Sequence, residues 1–275
     1  MTSTEAILKK YETVEFGEGA TRVSVLVPEP DSPPDLPFVG ASRVIRRCLS
    51  AWLGGLSFRL EGPPGVGKNA LVYALAREHC RKPIYLLQGH GDMEPQDLVC
   101  VPRLAQSAEG RYVASPLVAA MLSGGICFCD EIGKLPERAL SMLVSVLDDR
   151  RSISSVLAGF SLRAHPDFRF CAALNPLDPP LPDYLEKRLR PRFTVGYPSP
   201  VDLVAIVQAR CSTAEALLLE SLRGWLADQD DIAPRDAIAI ISFAQALARQ
   251  DGHRPRTAHD ADALIEEAAE FILVR

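Results

Sequence analysis

The run Gly62-Pro63-Pro64-Gly65-Val66-Gly67-Lys68-Asn69 has the residue types and spacing that handle phosphate. Two glycines separated by four residues, then a lysine, allow a tight loop whose backbone N–H groups aim at anionic oxygens. Lys68 has the reach to touch the β- and γ-phosphates of a nucleotide. The last position of such a loop is ordinarily Ser or Thr, whose hydroxyl holds Mg²⁺; here it is Asn69. An amide oxygen is also an acceptable donor to a hard cation, although exchanging hydroxyl for amide changes the reach by about one atom, and catalysis is sensitive to that. Ala70 follows and opens a helical pattern.

Four further groups of residues have chemistry to offer. Ile126-Cys127-Phe128-Cys129-Asp130-Glu131 is an apolar run ending in two acids. At the end of a strand beside the phosphate loop, Asp130 would hold Mg²⁺ directly or through water, and Glu131 would polarise an attacking water. Asn175, before Pro176, closes another apolar run. A polar amide there can orient water against the γ-phosphate, or simply form a turn. The segment Glu186-Lys187-Arg188-Leu189-Arg190-Pro191-Arg192-Phe193 concentrates arginines, which can cap carbonyls or neutralise charge on a neighbouring subunit's phosphate. Finally, Ala233-Pro234-Arg235 puts a proline just inside a helix start, from which Arg235 would point back toward the cleft between domains.

These residues need elements to carry them. Ser57–Leu60 reads as a buried strand before the loop, and Asn69–Cys80 as a helix after it, with Ala70, Leu71, Val72, Ala74 and Leu75 at helical spacing. From Phe38 to about Pro198 strands alternate with helices. The candidate strands are Phe58–Leu60, Ile84–Leu87, Ile126–Cys129, Phe168–Ala172 and Phe193–Val195. That alternation predicts an α/β fold with a mostly parallel sheet covered on both faces. From Ser199 onward the apolar spacing is helical throughout and predicts a second, all-helical domain of about four helices. Residues 1–37 read as an N-terminal appendage. Arg22–Val27 alternates like a short strand, and Pro28–Pro37 is too proline-rich for anything but an extended connector. The expected domains are therefore 1–37, 38–198 and 199–275.

Composition narrows the classes. With 47% hydrophobic and 24% charged residues the chain has the material for a sizeable core. A net charge of −5 argues against a protein dominated by nonspecific nucleic-acid binding. No apolar stretch is long enough to span a bilayer, and Met1–Lys10 lacks the basic-then-apolar layout of a secretory signal. Seven scattered cysteines point to free thiols in a reducing, cytoplasmic compartment. Cys127 and Cys129 share one face of a strand without the partners a metal site needs, so they read as core.

In this order the motifs resemble the AAA+ ATPases, and most closely the MoxR group with its CbbQ-, NorQ- and GvpN-like activators. The resemblance runs from Phe38 to the C-terminus. Gly62–Asn69 resembles the Walker A loop, Asp130-Glu131 the Walker B acids, and Asn175-Pro176 the first sensor. Arg192 takes the arginine-finger position, with Arg190 and Arg188 as rivals. Ala233-Pro234-Arg235 is similar to the Ser-Pro-Arg second sensor. Asp97-Leu98-Val99 and Ser115-Pro116-Leu117-Val118 resemble the flanks of an insertion, and Arg151–His165 the hairpin before the first sensor. Both insertions face the ring pore in such proteins. The resemblance implies a P-loop AAA+ core with a five-stranded sheet and a small helical lid. It implies ATP and Mg²⁺ as ligands, and assembly as a homo-oligomeric ring, usually a hexamer. It further implies a protein client that is remodelled or activated, often with a von Willebrand A domain partner. Two other classes share the motifs: a nucleotide-binding ring scaffold with little hydrolysis, and a nucleic-acid remodeller, which the acidic balance disfavours.

Overall fold

The computed structural model describes residues 10–16, 23–32, 38–103, 112–211, 215–250 and 255–273. The chain begins with strands β1 (Tyr11–Phe16) and β2 (Val23–Pro28), then helix α1 (Ser42–Leu53) and strand β3 (Phe58–Glu61). Helix α2 (Lys68–Ala74) runs on into a wider helical turn at Leu75–Cys80. Next come β4 (Ile84–Gln88), β5 (Cys100–Pro102), β6 (Tyr112–Ala114), α3 (Pro116–Ser123) and β7 (Ile126–Asp130). The short helices α4 (Glu137–Leu140) and α5 (Leu143–Leu147) lead to the strand pair β8 (Ser152–Ser155) and β9 (Phe160–Arg163), then β10 (Arg169–Leu174), α6 (Asp183–Glu186) and β11 (Arg192–Thr194). Four longer helices end the chain: α7 (Pro200–Arg210), α8 (Ala216–Ala227), α9 (Pro234–Gln250) and α10 (Ala258–Ile272).

Five strands form one sheet in the order β11-β3-β10-β7-β4. The registered pairs of β3 with β10, β10 with β7 and β7 with β4 are all parallel. The central strands read as unbroken apolar runs because both of their faces are covered; Cys127, Phe128, Cys129, Cys171 and Ala172 are fully buried. Burial also accounts for the thiols. It pushes the Cys48 thiol up to about 12 and holds Cys127 and Cys171 well above the usual thiol value, so these cysteines are protonated core residues at neutral pH. No group of three or more metal-ligating side chains occurs among the described residues. Nor is any described helix long and apolar enough to cross a membrane.

The register fixes which residues share the sheet's carboxyl edge. Leu174 lies opposite Glu61, and Gln88 opposite Asp130. Glu61, Gln88, Asp130 and the residue after Leu174, Asn175, therefore end neighbouring parallel strands on one side. In open α/β sheets this is the edge where ligands bind.

The chain divides into two compact units. The first comprises Met1–Pro33, Arg47–Glu61 and Leu75–Phe193; the second comprises Pro34–Arg46, Gly62–Ala74 and Thr194–Arg275. This differs from the division expected from sequence in two ways. Within the second unit the phosphate loop and α2 group with the four C-terminal helices. Within the first unit the N-terminal strands are not an appendage. They form a four-stranded sheet, β1-β2-β6-β5, in which β2 runs parallel to β6. Val25 and Val27 enter the same core as Leu117, Val118 and Phe160, and Phe16 stacks on Phe160 with ring centroids 4.7 Å apart. Beyond β2, Asp31 accepts a hydrogen bond from the Leu86 N–H at 2.5 Å and donates its own N–H to the Ile84 carbonyl at 2.9 Å. The start of the proline-rich stretch is thus fastened to β4; residues 33–37 lie outside the described part. The proline count concealed this, because the pairing partner of β2 is about ninety positions away in the chain.

The flanks of the expected insertion meet through Ser115. Its Oγ donates to the Leu98 carbonyl at 2.7 Å and accepts the Val118 N–H at 3.1 Å, capping α3. The four helices of the second unit enclose their own core of Leu203, Val204, Val207, Leu222, Ile240, Ile241 and Ile265. Ser199 caps α7 and Thr257 closes a capping box with Asp260 on α10.

Candidate nucleotide site

The loop that follows β3 turns on backbone conformations that L side chains rarely adopt. Gly65 has φ +81° and Gly67 φ +97°. A Cβ on Gly65 would come within 3.2 Å of the Ala233 Cβ at the foot of α9. Lys68 opens α2, with no acidic residue in the helix's first turn, and is only 6% exposed. Its ammonium donates to the carbonyls of Gly62 at 2.7 Å and Pro63 at 2.9 Å, so the cation is held inside the loop it serves. Asn69 and Ala70 follow on the helix, both half-buried.

Beside the loop the second unit encloses a cavity of about 450 Å³, within the range of small-molecule sites. Gly65, Gly67 and Ala70 line one side, and Val39, Val44, Ile206 and Ile238 supply apolar walls. Phe38, Tyr197, Ser199, Asp202, Arg210 and Arg235 are its polar and aromatic members. The cavity thus combines an apolar compartment for a flat base with backbone donors and arginines for phosphates. Arg235 belongs to it alongside the loop: the Cβ imagined on Gly65 would lie 3.6 Å from that of Arg235.

In the first unit, β7 ends at Asp130, and Glu131 adopts the left-handed conformation at φ 53°, ψ 42°. A non-glycine residue in that region is uncommon and often marks a functional turn. The Glu131 N–H donates to Asp130 Oδ1 at 2.9 Å. Both Glu131 carboxylate oxygens are engaged. Oε1 takes the Lys134 ammonium at 2.6 Å, and Oε2 accepts from the Gln88 amide at 2.9 Å. Glu131, with Asp178 and Asp130 contributing, raises the pKa of Lys134 above the usual lysine value. Gly89 keeps the neighbouring strand close: a Cβ there would fall 2.5 Å from the Glu131 carbonyl oxygen. Asn175 stands one residue past β10, and its N–H donates to Asp178 Oδ2 at 3.2 Å.

The three arginines that compete for the finger role have different surroundings. Arg188 is half-buried and returns Nη1 to the Tyr184 carbonyl of its own helical turn at 2.7 Å. Arg190 is exposed. Arg192, 62% exposed at its side chain, places Nε 3.6 Å from Glu61 Oε2.

Sequence reasoning missed Gln88, Lys134, Asp202 and Arg59. Gln88 left a usable signal, as the polar residue ending an apolar strand. Its pairing with Glu131 depends on the β4–β7 register, which no local pattern reveals.

A glycine-rich phosphate loop between a strand and a helix, with a parallel sheet whose strand β7 ends in two acids, defines a P-loop nucleotide-binding protein. Residues 57–193, from the residue before β3 into β11, match the family described as AAA domain, dynein-related subfamily. The chain is 30% identical over 218 residues to the denitrification regulatory protein NirQ of Pseudomonas aeruginosa, covering 76% of this chain and 82% of that protein. It is 27% identical over 246 residues to the NirQ of Stutzerimonas stutzeri, covering 86% and 87%. Among solved structures it resembles the Thermotoga maritima RuvB Holliday junction branch migration motor, with a TM-score of 0.55 and 18% identity over 84% of this chain and 70% of that one. That likeness shows the shared fold. The chain belongs to the AAA+ ATPases, in the MoxR-like branch that includes NirQ.

Proposed function

We propose that this protein binds and hydrolyses ATP in a homo-oligomeric ring, usually a hexamer in this group. It uses the cycle to remodel or activate a client protein in the cytoplasm, in a regulatory role of the kind the NirQ name describes. A partner carrying a von Willebrand A domain is the expected companion. The observation that carries this reading is the cavity in which Gly65, Gly67 and Ala70 meet Arg235, in a chain that also ends a strand with Asp130-Glu131.

The residues fit the ligands. Lys68 and the loop N–H groups receive the β- and γ-phosphates, and Arg235 takes the phosphate end while reporting on it to the helical unit. Asp130 offers a carboxylate and Asn69 an amide oxygen to Mg²⁺, both hard oxygen donors. Held by Asp130 and Asn69, Mg²⁺ would supply neutralisation of phosphate charge. Glu131 takes the proton of the attacking water, Asn175 orients that water, and Arg192 from the adjacent subunit faces the charge that builds on the phosphoryl oxygens. Arg190 is the second choice for that role.

Steady-state phosphate release by the full chain with Mg²⁺ and ATP, together with light scattering with and without ATP, tests the reading. Turnover and an ATP-dependent ring are expected; an ATP-bound protein that never releases phosphate, even with its partner, overturns it. The second reading, a nucleotide-stabilised scaffold, draws on Asn69 and on a Glu131 whose oxygens are both engaged. An Asn69→Thr variant with several-fold faster turnover is expected if the missing hydroxyl slows hydrolysis; an unchanged rate makes asparagine a fully adequate donor. Stimulation by DNA or RNA that disappears at higher salt would move the assignment to the nucleic-acid remodellers.

A further inference from the structure

Strand β3 carries an arginine where an apolar strand of the sheet needs none. Arg59 is 4% exposed, and a guanidinium is taken out of water at a large cost unless its donors are matched. Here they are matched, and every partner but Glu61, on the same strand, lies in one segment. Nε donates to Glu61 Oε1 at 2.7 Å. Nη2 reaches Glu186 Oε1 at 3.3 Å, and Nη1 approaches the carbonyls of Glu186 at 3.3 Å and Leu189 at 3.5 Å. The Arg59 backbone N–H adds a bond to the Pro191 carbonyl at 3.3 Å. One buried residue thus grips the stretch from the end of α6 to the start of β11 at three positions, 186, 189 and 191.

That stretch delivers Arg192, and the same cluster reaches it. Glu61 is a carboxylate with two tasks: Oε1 is fixed by Arg59, which leaves Oε2 turned to the Arg192 Nε at 3.6 Å. An exposed ion pair would ordinarily organise little. Glu61, however, is only 23% exposed at its side chain and is oriented in advance by a buried cation. Its contact is with Nε, at the stem of the Arg192 fork, so the carboxylate steers the guanidinium without taking its terminal nitrogens.

We propose that Glu61 and Arg59 are positioning residues for Arg192: the buried guanidinium aims the Glu61 carboxylate, and the carboxylate aims the arginine that faces the neighbouring subunit's phosphate. This rests on the finger role assigned to Arg192 above. It also assigns a purpose to an ion cluster that core packing alone would replace with apolar side chains.

The test is a cycle of Glu61→Gln, Arg192→Ala and the double variant, read by single-turnover release of labelled phosphate, by KM for ATP and by thermal melting. Glu61→Gln keeps the shape of the side chain and removes only its charge. Its expected effect is a kcat lower by about tenfold to a hundredfold, the scale of a misplaced catalytic group, with KM for ATP unchanged. In the Arg192→Ala background the same substitution is expected to do nothing further, and Glu61→Asp to recover part of the loss. Equal losses in both backgrounds, or a wild-type rate for Glu61→Gln while Arg192→Ala is inactive, overturn the positioning role and leave the finger assignment standing. A wild-type rate for Arg192→Ala overturns the finger assignment and the proposal with it.

Discussion

The phosphate loop and the acidic end of β7 solve opposite problems by different means. The loop is built from backbone: its shape comes from positive φ at Gly65 and Gly67, and its one long side chain, Lys68, folds back onto the loop's own carbonyls. The acidic end is built from side chains on two separate pieces of chain. Gln88 from β4 and Lys134 from the turn after β7 hold Glu131 at both oxygens. A backbone site tolerates almost no change in residue type at its turning points. A site held by side chains tolerates changes among the holders and none in the group they hold.

The largest effect expected from that contrast is at Glu131. Glu131→Gln keeps the amide-sized shape and loses the base, so turnover should fall by about 10²- to 10⁴-fold while ATP affinity is retained. Equilibrium binding beside phosphate release checks it, and a loss of binding would place Glu131 in the cradle instead. Lys68→Ala is expected to weaken ATP binding by about tenfold to a hundredfold, the worth of a charge-assisted hydrogen bond, measured by titration calorimetry. Gly65→Ala is next: a left-handed alanine costs about 1–2 kcal/mol, and the Ala233 Cβ lies 3.2 Å away. A lower melting temperature and weaker nucleotide binding should appear together. Lys134→Ala should be the mildest, changing turnover by less than about threefold with binding unaltered, because a solvent-screened ion pair contributes little. A large effect there would make the Glu131 holders as exacting as the loop and erase the contrast.

The same contrast explains what could be read from the sequence. The loop announces itself because a backbone that needs positive φ needs glycine, and the glycines sit a few residues apart. The central strands β4, β7 and β10 were legible as apolar runs, and β3 and β11 from shorter apolar stretches in the strand–helix alternation. The four terminal helices were legible from their period, and Ile206 shows its resolution: Leu203, Val204 and Val207 enter the helical core, while Ile206 lines the cavity beside the loop. Gln88 against Glu131, Arg59 against Glu186 and β2 against β6 were not legible. Each joins positions that are distant in sequence, and hydrophobic alternation gives a strand without giving its partner. The partners of the buried Arg59 were hidden, because nothing beside it in the chain hints at a carboxylate 127 positions on.

The β1-β2 pair has a practical meaning for anyone shortening this protein. With β2 gone, β6 would present an open ladder of N–H and C=O groups, an invitation to sticky strand addition between molecules. Phe160 would lose the ring stacked on it. Trimming the first thirty residues would therefore alter solubility first.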